Sequence, residues 1–206
     1  LELSIHALGD RGIDTVIAGM KDIAGSEIQE RRYRIEHFQH PTEDAIEALF
    51  ETGIIASMQP YHAIDDGRWA EDRIGAQRMK TTYAFRSILD AGGILTFGSD
   101  WPVAPLSPIK GVYAAVTRQT LDDANPNGWI PEQKISVEEA LRAYTSTNAY
   151  AFNEESTSGT LAVGKRADFV VLSNDPRSIP QKEIANINVF QTVIGGEIVY
   201  LAPTIP

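Results

Sequence analysis

The sequence predicts an α/β fold in which four strand–helix units form half of an eightfold (β/α)8 barrel, followed by a small β-rich segment. Short apolar runs alternate four times with segments of helical periodicity, which favours a parallel sheet with crossover helices. The fourth apolar run, residues 94–97, ends at Gly98, Ser99 and Asp100 and cannot continue through Pro102. The C-terminal part of the chain loses this alternation and carries three strand-like runs instead.

The first two predicted strands each lead to a histidine. Alternating apolar and polar residues precede His6, after which we expect a polar loop over residues 9–12 and an amphipathic helix ending near Gly25. The second strand runs into His37, and a helix is predicted between residues 41 and 53, with Phe50 on its buried face. Two successive units therefore place an imidazole at the end of a strand.

The third and fourth units have a longer connection between them. Residues 54–58 are predicted to form a strand that leads to His62, and a polar loop is expected to follow. Asp65 and Asp66 are interpreted as solvated charges of that loop. A helix then precedes the fourth strand, which opens into a loop at Asp100, and another helix follows it.

The C-terminal part is predicted to form a small β appendage. A capping box predicts a helix over residues 136–150. Residues 167–172 then form a strand, and residues 190–201 a hairpin that turns at two glycines. We therefore divide the chain into a βα body, residues 1–150, and a β segment, residues 151–206.

Composition excludes several classes of partner. The 206 residues carry 18 Lys and Arg against 28 Asp and Glu, a net charge of −10, and the basic residues are not clustered. Nucleic acid is therefore not an expected partner, because phosphate contacts need concentrated positive charge. No apolar run approaches the roughly 20 residues of a membrane helix. The absence of cysteine excludes disulfides and thiolate metal sites.

Three potential metal ligands lie at or near the ends of predicted strands: His6, His37 and Asp100. Parallel strands bring such ends to one edge of a sheet, and imidazole with carboxylate suits Zn²⁺ and related divalent ions. A metal lowers the pKa of a bound water molecule, and a nearby carboxylate can accept its proton. Each residue also has a structural interpretation: a packed histidine, or an aspartate capping a turn. His62 fits a pocket or the surface, and His40 a structural position before a helix.

Several motifs together closely resemble amidohydrolase family 3 of the metal-dependent amidohydrolases. They are His6-Ala7-Leu8-Gly9-Asp10-Arg11, Arg34-Ile35-Glu36-His37, Gln59-Pro60-Tyr61-His62 and Phe97-Gly98-Ser99-Asp100-Trp101-Pro102-Val103. Residues 159–172 are similar to the C-terminal section of that family. The resemblance implies the C-terminal half of a TIM-type (β/α)8 barrel, strands five to eight, plus part of a small β-sandwich.

The resemblance also implies an activity: hydrolysis of C–N, amide-like bonds of a small-molecule substrate by metal-activated water. His6 and His37 would bind the divalent metal, for which Zn²⁺ is our expectation. Asp100 would bind the metal and shuttle the proton, and His62 would help form the substrate pocket. The family's first-strand His-x-His pair has no counterpart among the four histidines of this sequence. We therefore expect a C-terminal fragment that is inactive alone.

A different hypothesis is a non-catalytic half-barrel that acts as a folding or interaction unit. Half of a barrel exposes two sheet edges and an apolar interior, which isolated domains avoid. We therefore expect this chain to form a homo-oligomer through its exposed barrel edges. A cytoplasmic location is our further expectation.

Overall fold

The computed structural model describes residues 3–203 and has the mixed α/β architecture that the sequence predicts. Four short strands form one parallel sheet whose spatial order equals their order in the chain. They are β1 (Ser4–Ala7), β2 (Arg34–His37), β3 (Ile55–Met58) and β4 (Ile94–Phe97). Ile35 aligns with Ile5 on one side and Ala56 on the other, and Ala56 aligns with Leu95. This row places the carboxyl ends of all four strands at one edge of the sheet.

Helices connect the parallel strands, as expected for parallel neighbours, and one further helix follows β4. They are α1 (Asp10–Ala24), α2 (Glu43–Thr52), α3 (Pro60–Asp66), α4 (Ala70–Ile74), α5 (Ala76–Met79), α6 (Phe85–Asp90) and α7 (Pro108–Thr117). Short 3₁₀ helices span Gly25–Glu30, Pro131–Gln133 and Gln181–Asn186. Within the described residues 3–203, no helix is long and apolar enough to span a bilayer.

One face of the parallel sheet packs on the helices and forms the core. Ile35 and Ala56 are fully buried there, and α1 adds Ile13, Ile17 and Met20 at helical spacing. Complete burial of a side chain of this size stabilises the fold by roughly 1.5–3 kcal/mol. The apolar periodicity of α1 thus specifies both the helix and the face that it buries.

The sequence predicted Phe50 on the buried face of α2, but 64% of this residue is exposed. The buried stripe of this helix is centred on Ala45, Leu49 and Thr52. Residue 50 is one position away from that stripe, and its ring lies over Gly92, where an added Cβ would come within 2.9 Å of it. The prediction was wrong because Phe50 is apolar but lies outside the side of the helix that faces the core.

One predicted polar loop and the start of another are in fact helical. Helix α1 begins at Asp10, so residues 9–12 do not form a separate loop. Helix α3 likewise runs through Asp66, and it begins with Pro60 in the first turn and buries Ala63 and Ile64. Asp66 is therefore half-buried and hydrogen-bonded, contrary to the prediction of a solvated loop charge.

The C-terminal part combines two helices with an antiparallel sheet. Ser136 and Glu139 form the predicted capping box, but the single predicted helix is divided at Thr145 into α8 (Val137–Tyr144) and α9 (Ser146–Ala151). Strands β5 (Phe169–Leu172), β6 (Val189–Ile194) and β7 (Glu197–Leu201) pair in that order, which confirms the hairpin. Arg34 Nη1 donates to the carbonyl of Ala151 at 2.7 Å and ties α9 to the start of β2.

Candidate metal centre

The carboxyl ends of the four parallel strands bring all the predicted site residues together. The imidazole centroids of His6 and His37 lie 4.2 Å apart, and those of His37 and His62 lie 6.2 Å apart. His62 Nε2 is 3.1 Å from Asp100 Oδ2. Residues that are distant in sequence thus share one small volume, at the edge where βα enzymes of the barrel type build their active sites.

The backbone of His37 directs its ring toward His6. In the strand register Ala7 aligns with His37, so regular alternation would place His37 on the packed face of the sheet, opposite His6. His37 instead has φ +75° and Phe38 has φ +46°. The positive φ at both residues departs from the extended conformation that regular alternation assumes, and Phe38, not His37, is the fully buried residue.

Three side chains form a group that could hold one metal ion. His37, His62 and Asp100 each offer a ligand atom, and these atoms lie within 4.8 Å of one another. Asp100, with φ +57°, adopts a second left-handed backbone conformation in this group. Non-glycine residues in this conformation cost free energy and are concentrated at functional sites. Two nitrogens and one carboxylate oxygen suit Zn²⁺ and similar divalent ions.

His6 borders this group on the other side of His37. Its ring is exposed, whereas those of His37 and His62 are partly buried. The geometry therefore places both candidate ligands, His6 and His62, beside His37. Their assignment as metal ligand and pocket residue, respectively, stays a prediction.

The protonation state of His37 favours metal binding. Burial lowers the pKa of its imidazole, and the neighbouring His6 lowers it further, while Asp100 acts in the opposite direction. The ring is consequently neutral at pH 7, the form that donates a lone pair to a metal.

His40 has the structural environment that the sequence suggested. Its Nδ1 lies 3.0 Å from Thr82 Oγ1, and its ring packs edge-on to Tyr83. Burial lowers the pKa of the His40 imidazole, with Asp10 partly opposing the effect. His40 therefore joins the loop before α2 to the segment before α6.

This lowered pKa predicts a loss of stability in mild acid. As pH falls below about 6.5, the unfolded chain binds a proton at His40 before the folded chain does, so the free energy of unfolding decreases. Above that pH the contribution is complete. We expect a His40→Gln variant to show a weaker pH dependence between pH 7 and 5 in urea unfolding. Equal slopes for wild type and His40→Gln would contradict this prediction.

Sequence reasoning missed three residues behind the cluster: Gln39, Asp66 and Tyr83. Tyr83 Oη donates to Asp66 Oδ2 at 2.6 Å, and Gln39 Nε2 donates to the same oxygen at 3.0 Å. Burial raises the pKa of Asp66, although its hydrogen bond from Tyr83 opposes this. One sequence signal was present, because Asp66 lies one helical turn after His62.

The fold and this cluster define an α/β protein with a candidate metal centre at the carboxyl edge of a parallel sheet. The model of the amidohydrolase family matches residues 1–200. The chain therefore belongs to the amidohydrolase family, as its motifs predicted.

A plant protein and a bacterial protein are among the curated relatives that match nearly the whole chain. It is 35% identical over 202 residues to "Protein LONG AFTER FAR-RED 3" of Arabidopsis thaliana, covering 97% of this chain and 34% of that protein. It is 28% identical over 204 residues to "N-substituted formamide deformylase" of Arthrobacter pascens, covering 97% and 36%. The chain thus spans about a third of the length of these relatives.

A solved structure shares the fold. The chain is 27% identical to an uncharacterized metal-dependent hydrolase from Pyrococcus horikoshii OT3, with a TM-score of 0.77. The match covers 88% of this chain and 36% of that protein.

Proposed function

We propose that this chain is the C-terminal part of a metal-dependent hydrolase that cleaves C–N bonds in small amide-like molecules. The observation that carries the proposal is the convergence of imidazoles and a carboxylate at the carboxyl edge of a parallel sheet. Its membership of the amidohydrolase family supports the reaction class. The names of the Arthrobacter pascens relative, a deformylase, and of the Pyrococcus horikoshii protein, a metal-dependent hydrolase, agree with it.

In this proposal strands β1 to β4 are strands five to eight of a TIM-type barrel, and β5 to β7 belong to a small β-sandwich. The division into residues 1–150 and 151–206 follows, with residues 1–2 and 204–206 outside the described part. The edges at β1 and β4 would pair with further strands, either from the remaining barrel or from a second copy. Light scattering on the 206-residue chain tests the second case, for which we expect a homo-oligomer and not a monomer.

We propose His6, His37 and Asp100 as the ligands of a divalent metal ion and Zn²⁺ as the ion. His37 and Asp100 belong to the group that could hold one ion, and His6 lies beside His37. The neutral His37 ring and the adjacent His6 ring supply the nitrogens. A bound ion of this kind polarises a carbonyl and lowers the pKa of a water molecule.

Asp100 would move the proton of the reaction. Its carboxylate would accept a proton from the attacking water and then donate it to the nitrogen that leaves the carbonyl carbon. His62, with Nε2 at 3.1 Å from Asp100 Oδ2, would donate a hydrogen bond that fixes the orientation of this carboxylate. In this proposal His62 would also help form the substrate pocket.

Calorimetric titration of the chain with Zn²⁺ tests this ligand set. We expect His6→Ala, His37→Ala and Asp100→Asn each to weaken binding by more than the roughly 10- to 100-fold that follows loss of an outer-shell partner. His62→Ala should cost less. If His62→Ala abolishes binding and His6→Ala does not, His62 is the ligand. Unchanged binding in both His37→Ala and Asp100→Asn would refute the metal site.

A non-catalytic half-barrel is the second candidate function. The observation that favours it is that the chain spans about a third of the relatives it matches. This alternative expects a stable assembly through the sheet edges that binds no Zn²⁺. The same titration, combined with light scattering, distinguishes the two functions.

A further inference from the structure

A polar group of two buried residues, Gln39 and Tyr83, and the half-buried Asp66 lies next to the candidate metal centre. Tyr83 is completely buried and Gln39 is 6% exposed. Both donate to one oxygen, Asp66 Oδ2, at 2.6 Å from Tyr83 Oη and 3.0 Å from Gln39 Nε2, and they also contact each other. Two donors that converge on one oxygen suit a strong acceptor, which a carboxylate provides.

This group joins the two segments that carry His37 and His62. Gln39 follows His37 by two residues, and its carbonyl accepts a hydrogen bond from the Tyr83 amide at 2.7 Å. Asp66 ends helix α3, one turn after His62. The Asp66 carboxylate therefore connects the end of β2 to the helix that presents His62 to Asp100.

The position of Tyr83 is itself fixed from behind. The fully buried Arg118 donates from Nη1 to the Tyr83 carbonyl at 3.0 Å and from Nε to the Trp129 carbonyl at 2.6 Å. Tyr83 has φ +49°, a conformation that persists only where the surroundings determine it strongly. Its ring also packs edge-on to Phe85 and Trp129.

The location of Asp66 argues against a role in helix stability alone. It is the last residue of α3, where a negative charge is unfavourable because the carboxyl end of a helix dipole is itself negative. Its partner atoms, in contrast, come from two other segments of the chain. The hydrogen bonds of Asp66 therefore connect α3 to the segments that carry Gln39 and Tyr83.

We propose that Asp66 and Tyr83 are positioning residues that hold α3 against the end of β2. By doing so they set the separation of His37 and His62 and the contact of His62 with Asp100. The expected consequence, tight metal binding, rests on the proposed function. The effect on the positions of His37 and His62 concerns the chain without metal, so it can be tested independently of metal binding.

The test compares Tyr83→Phe with Tyr113→Phe in the 206-residue chain. Both variants lose one tyrosine hydroxyl; that of Tyr113 donates to Gln119 at 2.9 Å. The second pair compares Asp66→Asn with Asp65→Asn, because Asp65 pairs with Arg68 and not with Gln39 or Tyr83. The readouts are the ¹⁵N–¹H imidazole NMR signals of the metal-free histidines, Zn²⁺ affinity by calorimetry, and urea unfolding to show that each variant is folded.

We expect Tyr83→Phe and Asp66→Asn to shift the imidazole signals of His37 and His62 and to weaken Zn²⁺ binding about 10-fold. Tyr113→Phe and Asp65→Asn should change neither. Imidazole signals that stay in place in folded Tyr83→Phe and Asp66→Asn would overturn the proposal, and so would unchanged affinity in a chain that binds Zn²⁺. If the wild-type chain binds no Zn²⁺ but the signals move, the metal site fails and the positioning role holds.

Discussion

An Asp100→Asn substitution is expected to lower the hydrolysis of an N-acyl amine by about 10³-fold or more and to leave the fold intact. An asparagine side chain has nearly the same shape but cannot accept the proton from the attacking water, and positioned proton transfer contributes typically 10²–10⁴-fold to a rate. If Asp100 binds the metal as proposed, loss of its charge from the candidate metal centre would add to this effect. Replacing one carboxylate oxygen of Asp100 with an amide nitrogen should therefore have the largest effect on activity.

The fold should tolerate Asn at this position for a local reason. Asp100 has φ +57°, and Asn is among the few residues that adopt this conformation readily. Its Oδ1 can still accept a hydrogen bond from His62 Nε2. We therefore expect the free energy of unfolding to change by less than about 1 kcal/mol. An alanine, in contrast, would combine backbone strain with the loss of the carboxylate.

The measurement is kcat in the longest natural polypeptide that contains this sequence, with urea unfolding of the same variant. Asp65→Asn is the matched control, because it removes a carboxylate in α3 that pairs with Arg68 and not with the cluster. Turnover within 10-fold of wild type in Asp100→Asn would remove Asp100 from the proton-transfer role.

Much of the candidate site follows from periodicity. The ends of adjacent parallel strands coincide in space, so a histidine after one strand and an aspartate after another must meet if the strands are assigned correctly. In this way the sequence predicted that His6, His37 and Asp100 lie near one another; the structure places His6 beside His37 and groups His37 with His62 and Asp100. Local signals such as the Ser136 capping box were equally informative, because their partners lie within four residues.

The remaining features depend on contacts that are distant in sequence. Asp66 resembles a solvated loop charge because its donors, Gln39 and Tyr83, are 27 and 17 residues away. The left-handed conformation of His37 has no local marker, since glycine is absent there. Residues 136–150 contain neither proline nor glycine, so nothing in that segment predicted the division at Thr145.

A Phe85→Ala substitution is expected to lower the free energy of unfolding by about 3–5 kcal/mol, the largest stability effect that we predict. Phe85 is fully buried in the first turn of α6. Its ring contacts Phe97 at 5.1 Å and Tyr83 at 6.2 Å between centroids, and the Arg118 guanidinium lies 5.4 Å from the ring centre. Truncation would leave a cavity between three well-packed groups, each held by further partners, so the site cannot collapse to fill it.

Phe50→Ala is the matched control, because the same atoms are removed from a ring that is 64% exposed. Urea unfolding should show a change below about 1 kcal/mol for Phe50→Ala. Phe85→Leu should fall between the two variants, since most of the volume is kept. The cavity should also disturb the candidate metal centre, because Phe97 ends β4 just before Asp100 and Tyr83 donates a hydrogen bond to Asp66. A Phe85→Ala protein that is as stable as Phe50→Ala would show that this aromatic contact does not support the carboxyl edge of the sheet.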